Sequence, residues 1–232
     1  MKFAHNIALL ALAALPLVSH AEIVTYNFSA DVAGIYMAQS TPTGYVYNYV
    51  ASSDFAGASV SMGDHVTGHI TYDTSIPALP FIPASSGSQM YSGAVQQFEF
   101  KFQQSGLSYK FDSTGYSDIM TSINPTPYTF GSVGFSTLSN TPQSSTFSML
   151  NFIDPSSKAP ASLDIPSQLA LSDFPLAQLT YTYQVGDTSV NVSAGLNSLT
   201  KVSAVPEPNQ WMMLAAGALL LVGVSRRAQR RS

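Results

Sequence analysis

Residues 98–111 read "FEFKFQQSGLSYKF", and no other short stretch restricts the fold of this chain as much. Phe98, Phe100 and Phe102 alternate with Glu99 and Lys101, so a strand puts three aromatic rings on one face and both charges on the other. After residues 103–106 the alternation resumes with Leu107, Tyr109 and Phe111. A hairpin that uses 103–106 as its loop opposes Phe102 to Leu107, Phe100 to Tyr109 and Phe98 to Phe111, and sets Glu99 against Lys110. A two-residue loop at Ser105-Gly106 would oppose Lys101 to Lys110 and Glu99 to Asp112, each unfavourable by roughly a few tenths of a kcal/mol. The longer loop is therefore expected, and its apolar face needs a core to cover it.

The same period of two recurs along the chain. Val24, Tyr26 and Phe28 alternate with polar residues, as do Tyr45, Tyr47 and Tyr49, and Val66, Gly68, Ile70 and Tyr72. Further strands are expected over 128–136, 146–153, 178–184 and 188–193, separated by breakers such as "INPTP" and "SNTPQSS". About ten short strands with turns between them predict an all-β fold, an antiparallel β-sandwich of jelly-roll type. No long helical period interrupts them; a brief helical turn is expected over 167–171.

Cysteine is absent, which excludes a disulfide framework and thiolate metal or redox chemistry. Between residues 22 and 204 four lysines face twelve carboxylates, a net charge of minus eight. An acidic surface without clustered Lys and Arg excludes nucleic acid as a partner. Charged residues make up only 9% of the chain, against about 25% in ordinary soluble domains, and Ser, Thr, Gln and Asn take the outward positions instead.

The two ends differ from this middle. Lys2 precedes an apolar stretch over 7–18, and Ser19-His20-Ala21 offers small residues where a signal peptidase reads, so 1–21 is expected to be a signal peptide cut between Ala21 and Glu22. The domain then spans 22–204, about 183 residues, enough for one core. Residues 205–208 read Val205-Pro206-Glu207-Pro208, and an uncharged apolar run follows over 211–224. At about 1.5 Å per residue that run reaches about 21 Å of a roughly 30 Å hydrocarbon core, so a membrane helix would extend over 210–225. Arg226, Arg227, Arg230 and Arg231 close the chain within 226–231 and hold that end on the cytoplasmic side, leaving the domain outside.

A Pro-Glu-Pro motif, a short apolar helix and an arginine cluster, in this order at the C-terminus, resemble the PEP-CTERM sorting signal of Gram-negative bacteria. The resemblance covers residues 205–232 alone. It implies export by the secretion machinery and signal peptidase, a transient stop in the inner membrane, and recognition of Pro206-Glu207-Pro208 by an exosortase, followed by delivery to the cell surface or exopolysaccharide. Two prolines keep the motif extended and without regular backbone pairing, which suits an enzyme's cleft. The same terminal motif also goes under the name of an ice-binding protein C-terminal region, but the domain carries no repeated threonine ladder.

Chemistry is sparse in the domain. His65 and His69 lie four apart on a predicted strand, about 13 Å between Cα atoms, too far for one metal ion, so a polar outer face is expected and no metal or cofactor. There is no Gly-x-Ser-x-Gly elbow, and no catalytic residue is assigned. A glycosidase needs only two carboxylates, and Asp54, Asp64, Asp73, Glu99, Asp112 and Asp118 offer many pairs. Tyr45, Tyr47 and Tyr49 suit a sugar-stacking strip, although an exposed aromatic row is a costly apolar patch, and the core is their expected place. The combined expectation is a non-enzymatic structural or adhesive component of the cell surface or matrix. The alternatives are a secreted carbohydrate-binding module or glycosidase, and a domain permanently anchored in the inner membrane.

Overall fold

Residues 98–111 form the expected hairpin. In the computed structural model, which describes residues 23–202 apart from 55–57, 81, 83–86, 112–114, 124–129 and 157, Phe98 pairs with Phe111, Glu99 with Lys110 and Phe100 with Tyr109. Phe102 N donates to Leu107 O at 2.9 Å, and Lys110 Nζ reaches Glu99 Oε1 at 2.9 Å. The expected register, loop and ion pair are all present.

Among the described residues thirteen strands follow one another: β1 Ile23–Thr41, β2 Gly44–Tyr49, β3 Ser52–Ser53, β4 Val60–Ser61, β5 His65–Asp73, β6 Ser88–Ser92, β7 Val95–Phe102, β8 Ser108–Phe111, β9 Tyr116–Ile123, β10 Gly131–Asn140, β11 Ser145–Asp154, β12 Leu176–Val185 and β13 Thr188–Lys201. The chain is all-β and antiparallel, as expected. The arrangement differs from two separate sheets: eleven strands form one sheet in the order β6-β9-β10-β11-β12-β13-β1-β5-β7-β8, with β2 added beside β1, and only β3 and β4 pair apart. That sheet curls into a half-barrel, and its two halves share a core as the layers of a sandwich would. Phe100 and Phe102 touch Tyr181 with ring centroids 5.7 and 6.0 Å apart, and Tyr72 lies 4.9 Å from Phe135. Curling is the physical solution here, because a flat sheet would leave this whole aromatic face in water.

The curl closes at a corner. β6 and β7 are separated only by Gly93 and Ala94 yet lie near opposite ends of the sheet order. Gly93 adopts φ +75°, its N–H donates to Ser117 O at 2.7 Å, and Asp73 N donates to Ala94 O at 2.9 Å. One bend therefore ties β9 on one side to β5 on the other.

β1 is the longest strand, at 19 residues, and pairs with β13 throughout most of its length, with β5 over 23–31 and with β2 over 36–41. Its register shifts between Ser29 and Ala30 and between Val32 and Gly34. Val24, Tyr26, Phe28, Ala30 and Val32 are buried before the second shift, and Ile35 after it. The inward parity changes from even to odd, as an inserted residue in a ladder requires.

The connection between β11 and β12, residues 155–175, crosses the open side of the core. Ile165, Leu169 and Phe174 bury their side chains, and three tyrosines below hold its backbone. Tyr72 Oη donates to Pro166 O at 2.8 Å, Tyr91 Oη donates to Leu163 O at 2.7 Å, and Leu169 N donates to Tyr26 Oη at 2.6 Å. Asp154 anchors its start, accepting from Ser156 N and Oγ, Lys158 N and Ala159 N between 2.7 and 3.0 Å. The brief helical turn expected over 167–171 falls later, as a 3-10 turn over Leu171–Asp173. At Leu169 the side chain is buried in the core and the N–H donates to Tyr26 Oη, which holds the segment against the sheet just before the turn.

Three stability effects follow. A methyl group at Gly68 would lie 2.4 Å from Glu99 O and 2.5 Å from Phe28 Cζ, so Gly68→Ala is expected to cost about 1–3 kcal/mol in denaturant melts. Tyr26→Phe leaves the buried Leu169 N–H without its acceptor and is expected to lower stability by about 1–3 kcal/mol in the same assay. The Asp154 carboxyl is held down to about 2, from an ordinary 3.8, chiefly by the Ser156 hydroxyl and then by backbone N–H groups. A depressed carboxyl stabilises above its unfolded value and loses that contribution as pH falls, so wild type should exceed Asp154→Asn at neutral pH. The gap should close between about pH 4 and pH 2, read from melts across that range.

Candidate functional site

Tyr45, Tyr47 and Tyr49 do not enter the core. They are 66%, 57% and 84% exposed, and all six residues of β2 face solvent. The cause is register: β2 pairs with β1 beyond the parity change, opposing Tyr49 to Tyr36, Tyr47 to Ala38 and Tyr45 to Ser40. Ile35 points inward, so its neighbour Tyr36 points outward, and the three tyrosines of β2 share that outer face. The expected burial of this row is thereby corrected.

The rings form a contiguous strip. Tyr36 lies 6.1 Å from Tyr47 and 5.8 Å from Tyr49 between centroids, and Tyr45 lies 6.2 Å from Tyr47. Ala38, small and only 5% exposed, leaves room at the centre for rings on either side. Across the same face the register continues from Tyr36 to Asn191 and Thr182, and from Ala38 to Ser189 and Gln184. Thr182 Oγ1 donates to Asn191 Oδ1 at 2.7 Å, and Asn191 Nδ2 donates to Ser189 Oγ at 3.3 Å. No charged residue occurs over 32–53 or 188–200. The result is an uncharged face of aromatic rings beside amides and hydroxyls, chemistry that suits the CH faces and hydroxyls of a neutral sugar.

Sequence reasoning missed Tyr36, Thr182 and Asn191 as members of this face. The signal for Tyr36 was hidden by the register shift in β1, since an inserted residue breaks the period of two that would align it with Tyr45, Tyr47 and Tyr49.

The other residues singled out do not converge. His65 and His69 lie on the outer side of β5, as expected; His65 Nδ1 sits 2.8 Å from Asp31 Oδ1, and His69 pairs across strands with Asn27 and Glu99. His65 and then Asn197 hold the Asp31 carboxyl below its ordinary value. The carboxylates offered for catalysis are mostly occupied structurally. Asp64 is buried and accepts from Gln104 N at 3.0 Å, Asp73 accepts from Ser75 N and Oγ at 2.8 and 2.7 Å, and Glu99 is bound to Lys110. Asp118 is buried beside Tyr116, whose hydroxyl it pushes up by accepting its hydrogen bond. Asp54 is exposed, and Asp112 lies outside the described residues. Among the described residues no three His, Asp or Glu side chains are grouped to hold a metal ion.

A cleft of about 960 Å³ lies along residues 154–175, lined by Asp154, Lys158, Asp164 and Asp173 among others. It is formed by the crossing segment itself and does not include the tyrosine strip. Ala21, Glu22, Val205, Pro206, Glu207, Pro208, Arg226, Arg227, Arg230 and Arg231 all lie outside the described residues. Among the described residues no helix is long and apolar enough to cross a membrane. No family model, no curated protein and no solved structure matches this chain.

Proposed function

We propose that this protein is an exported, non-enzymatic adhesive component of a bacterial surface or exopolysaccharide matrix, which holds neutral polysaccharide against its tyrosine strip. The binding part rests on one observation: Tyr45, Tyr47 and Tyr49, with Tyr36 beside them, stand exposed in a row on an uncharged face. Exposed aromatic surface of this extent is costly in water, and a partner that covers it repays that cost. Sugar rings offer CH faces to the tyrosine rings, while their hydroxyls meet Asn191, Thr182 and Ser189. The engagement of Asp64, Asp73 and Glu99 in structural hydrogen bonds and ion pairs speaks for binding rather than hydrolysis.

The export part rests on the resemblance of residues 205–232 to the PEP-CTERM signal. On that reading the secretion machinery and signal peptidase deliver the domain, the apolar run and arginines hold it briefly in the inner membrane, and an exosortase acts at Pro206-Glu207-Pro208.

Two measurements test the two parts. In affinity electrophoresis through gels carrying neutral polysaccharides, including the host's own, Tyr47→Ala and Tyr49→Ala should each weaken retardation about tenfold, equivalent to about 1.4 kcal/mol. Stability should change by no more than about 0.5 kcal/mol, since both side chains are exposed. Undiminished binding by the Tyr45, Tyr47, Tyr49 triple alanine variant would refute the strip. For sorting, mass spectrometry of the surface fraction should find a C-terminus near residues 206–208. Intact chain confined to the inner-membrane fraction would identify a permanently anchored domain instead.

A further inference from the structure

β2 presents more than its side chains. In an antiparallel ladder, residues alternate between those whose N–H and C=O point to the partner strand and those whose groups point away. Val50 N donates to Ile35 O at 3.0 Å, which fixes the alternation: Val50, Asn48 and Val46 face β1, while Tyr49, Tyr47 and Tyr45 point their backbone groups outward. The independent bond from Ser40 N to Asp187 O, at 2.7 Å on the opposite edge of β1, gives the same parity.

An edge of this kind is normally protected. The other edges of the large sheet are: β8 is only four residues long and carries Lys110, and β6 is covered by the preceding loop, where Leu79 N donates to Met90 O at 2.8 Å. Among the described residues β2 has neither device. Its sequence Gly44–Tyr49 contains no charge, no proline and no bulge, and is dense in residues that favour strands.

We propose that β2 pairs with β2 of a second copy of this chain, giving a two-fold symmetric dimer with a continuous sheet across the interface. The occupant follows from charge and symmetry. Each domain carries a net charge of minus eight, so copies repel over most of their surface, and β2 lies in the uncharged span 32–53. The strand is also self-complementary. With the axis at Tyr47, Tyr47 opposes the partner's Tyr47 and Tyr45 opposes the partner's Tyr49, so every outward N–H and C=O of the three tyrosines is satisfied in about six interstrand bonds. A two-fold axis normal to the sheet keeps both outer faces on the same side. The two tyrosine strips then join into one platform, and a polysaccharide chain spanning it gains avidity from two sites. The pairing itself stands on the backbone edge and does not depend on what the tyrosines bind.

The test uses the full chain in mild detergent without carbohydrate. Sedimentation equilibrium should give twice the protomer mass for wild type, and Tyr47→Lys, which sets two lysines face to face at the axis, should raise the dissociation constant at least about tenfold. Near-UV circular dichroism of Tyr47→Lys confirms that the protomer stays folded. Because the chain lacks cysteine, single variants report register directly. Tyr47→Cys should cross-link to itself with a short thiol reagent, while Tyr45→Cys and Tyr49→Cys should link to each other in a mixture and not to themselves. A wild-type monomer at every attainable concentration, or a dimer that persists in Tyr47→Lys without register-specific links, overturns the proposal. The latter outcome would assign association to another surface, including residues 205–232.

Discussion

The single residue inserted into β1 between Val32 and Gly34 governs what this sheet can show to the outside. Before it, even-numbered residues fill the core; after it, Ile35 does, and Tyr36 is turned to solvent. β2 inherits its parity from the later part of β1 through their shared ladder. A slip of one residue exchanges the two faces of a strand completely, so without the insertion Tyr36, Tyr45, Tyr47 and Tyr49 would turn to the inner side. A shift of one backbone position thus separates an aromatic core from an aromatic surface.

Inside, the domain solves a problem that its composition creates. With no cysteine, it has no disulfide and relies on burial and hydrogen bonding to hold it together. The phenylalanines and tyrosines of β5, β7 and β8 meet those of β10 and β12, Phe152 of β11 packs beside Phe135, and the open side is crossed by residues 155–175. That segment is irregular and cannot satisfy its own backbone, which would be costly over an apolar core. Tyr26, Tyr72 and Tyr91 satisfy it with their hydroxyls while their rings remain in the core. Tyrosine therefore has two uses in this molecule, as buried hydrogen-bonding partner of the crossing segment and as exposed ring on β2.

The surface follows a different economy. Ser, Thr, Asn and Gln replace the usual charges on β2, β12 and the facing parts of β1 and β13, so this part of the outer face, residues 32–53 and 188–200, is hydrated without charges of its own. Such a surface neither attracts nor repels a neutral polymer at long range. On the function proposed above, recognition comes from contact, at the tyrosine strip and at the β2 edge beside it, which has no partner strand among the described residues.

Some of this was legible in the sequence because it is local. The hairpin of β7 and β8 follows from alternation, a short loop and the need to pair Glu99 with Lys110, all within 14 residues. The strands near 24–28, 45–49, 66–72, 146–153 and 178–184 announce themselves by the same period, whereas β9, "YSDIMTSI", mixes its polarity and passes unnoticed. There Ser117 and Thr121 are buried beside Ile119, each bonded to a backbone carbonyl, so its inward face is partly polar. The expectations for the two termini rest on the sequence alone, since both lie outside the described residues. Period two states which residues share a face and never which face is covered, since covering is done by strands far away in the chain. That choice belonged to the tertiary structure: it curled one sheet where alternation suggested two, placed the inserted residue in β1, and left the tyrosines of β2 in water.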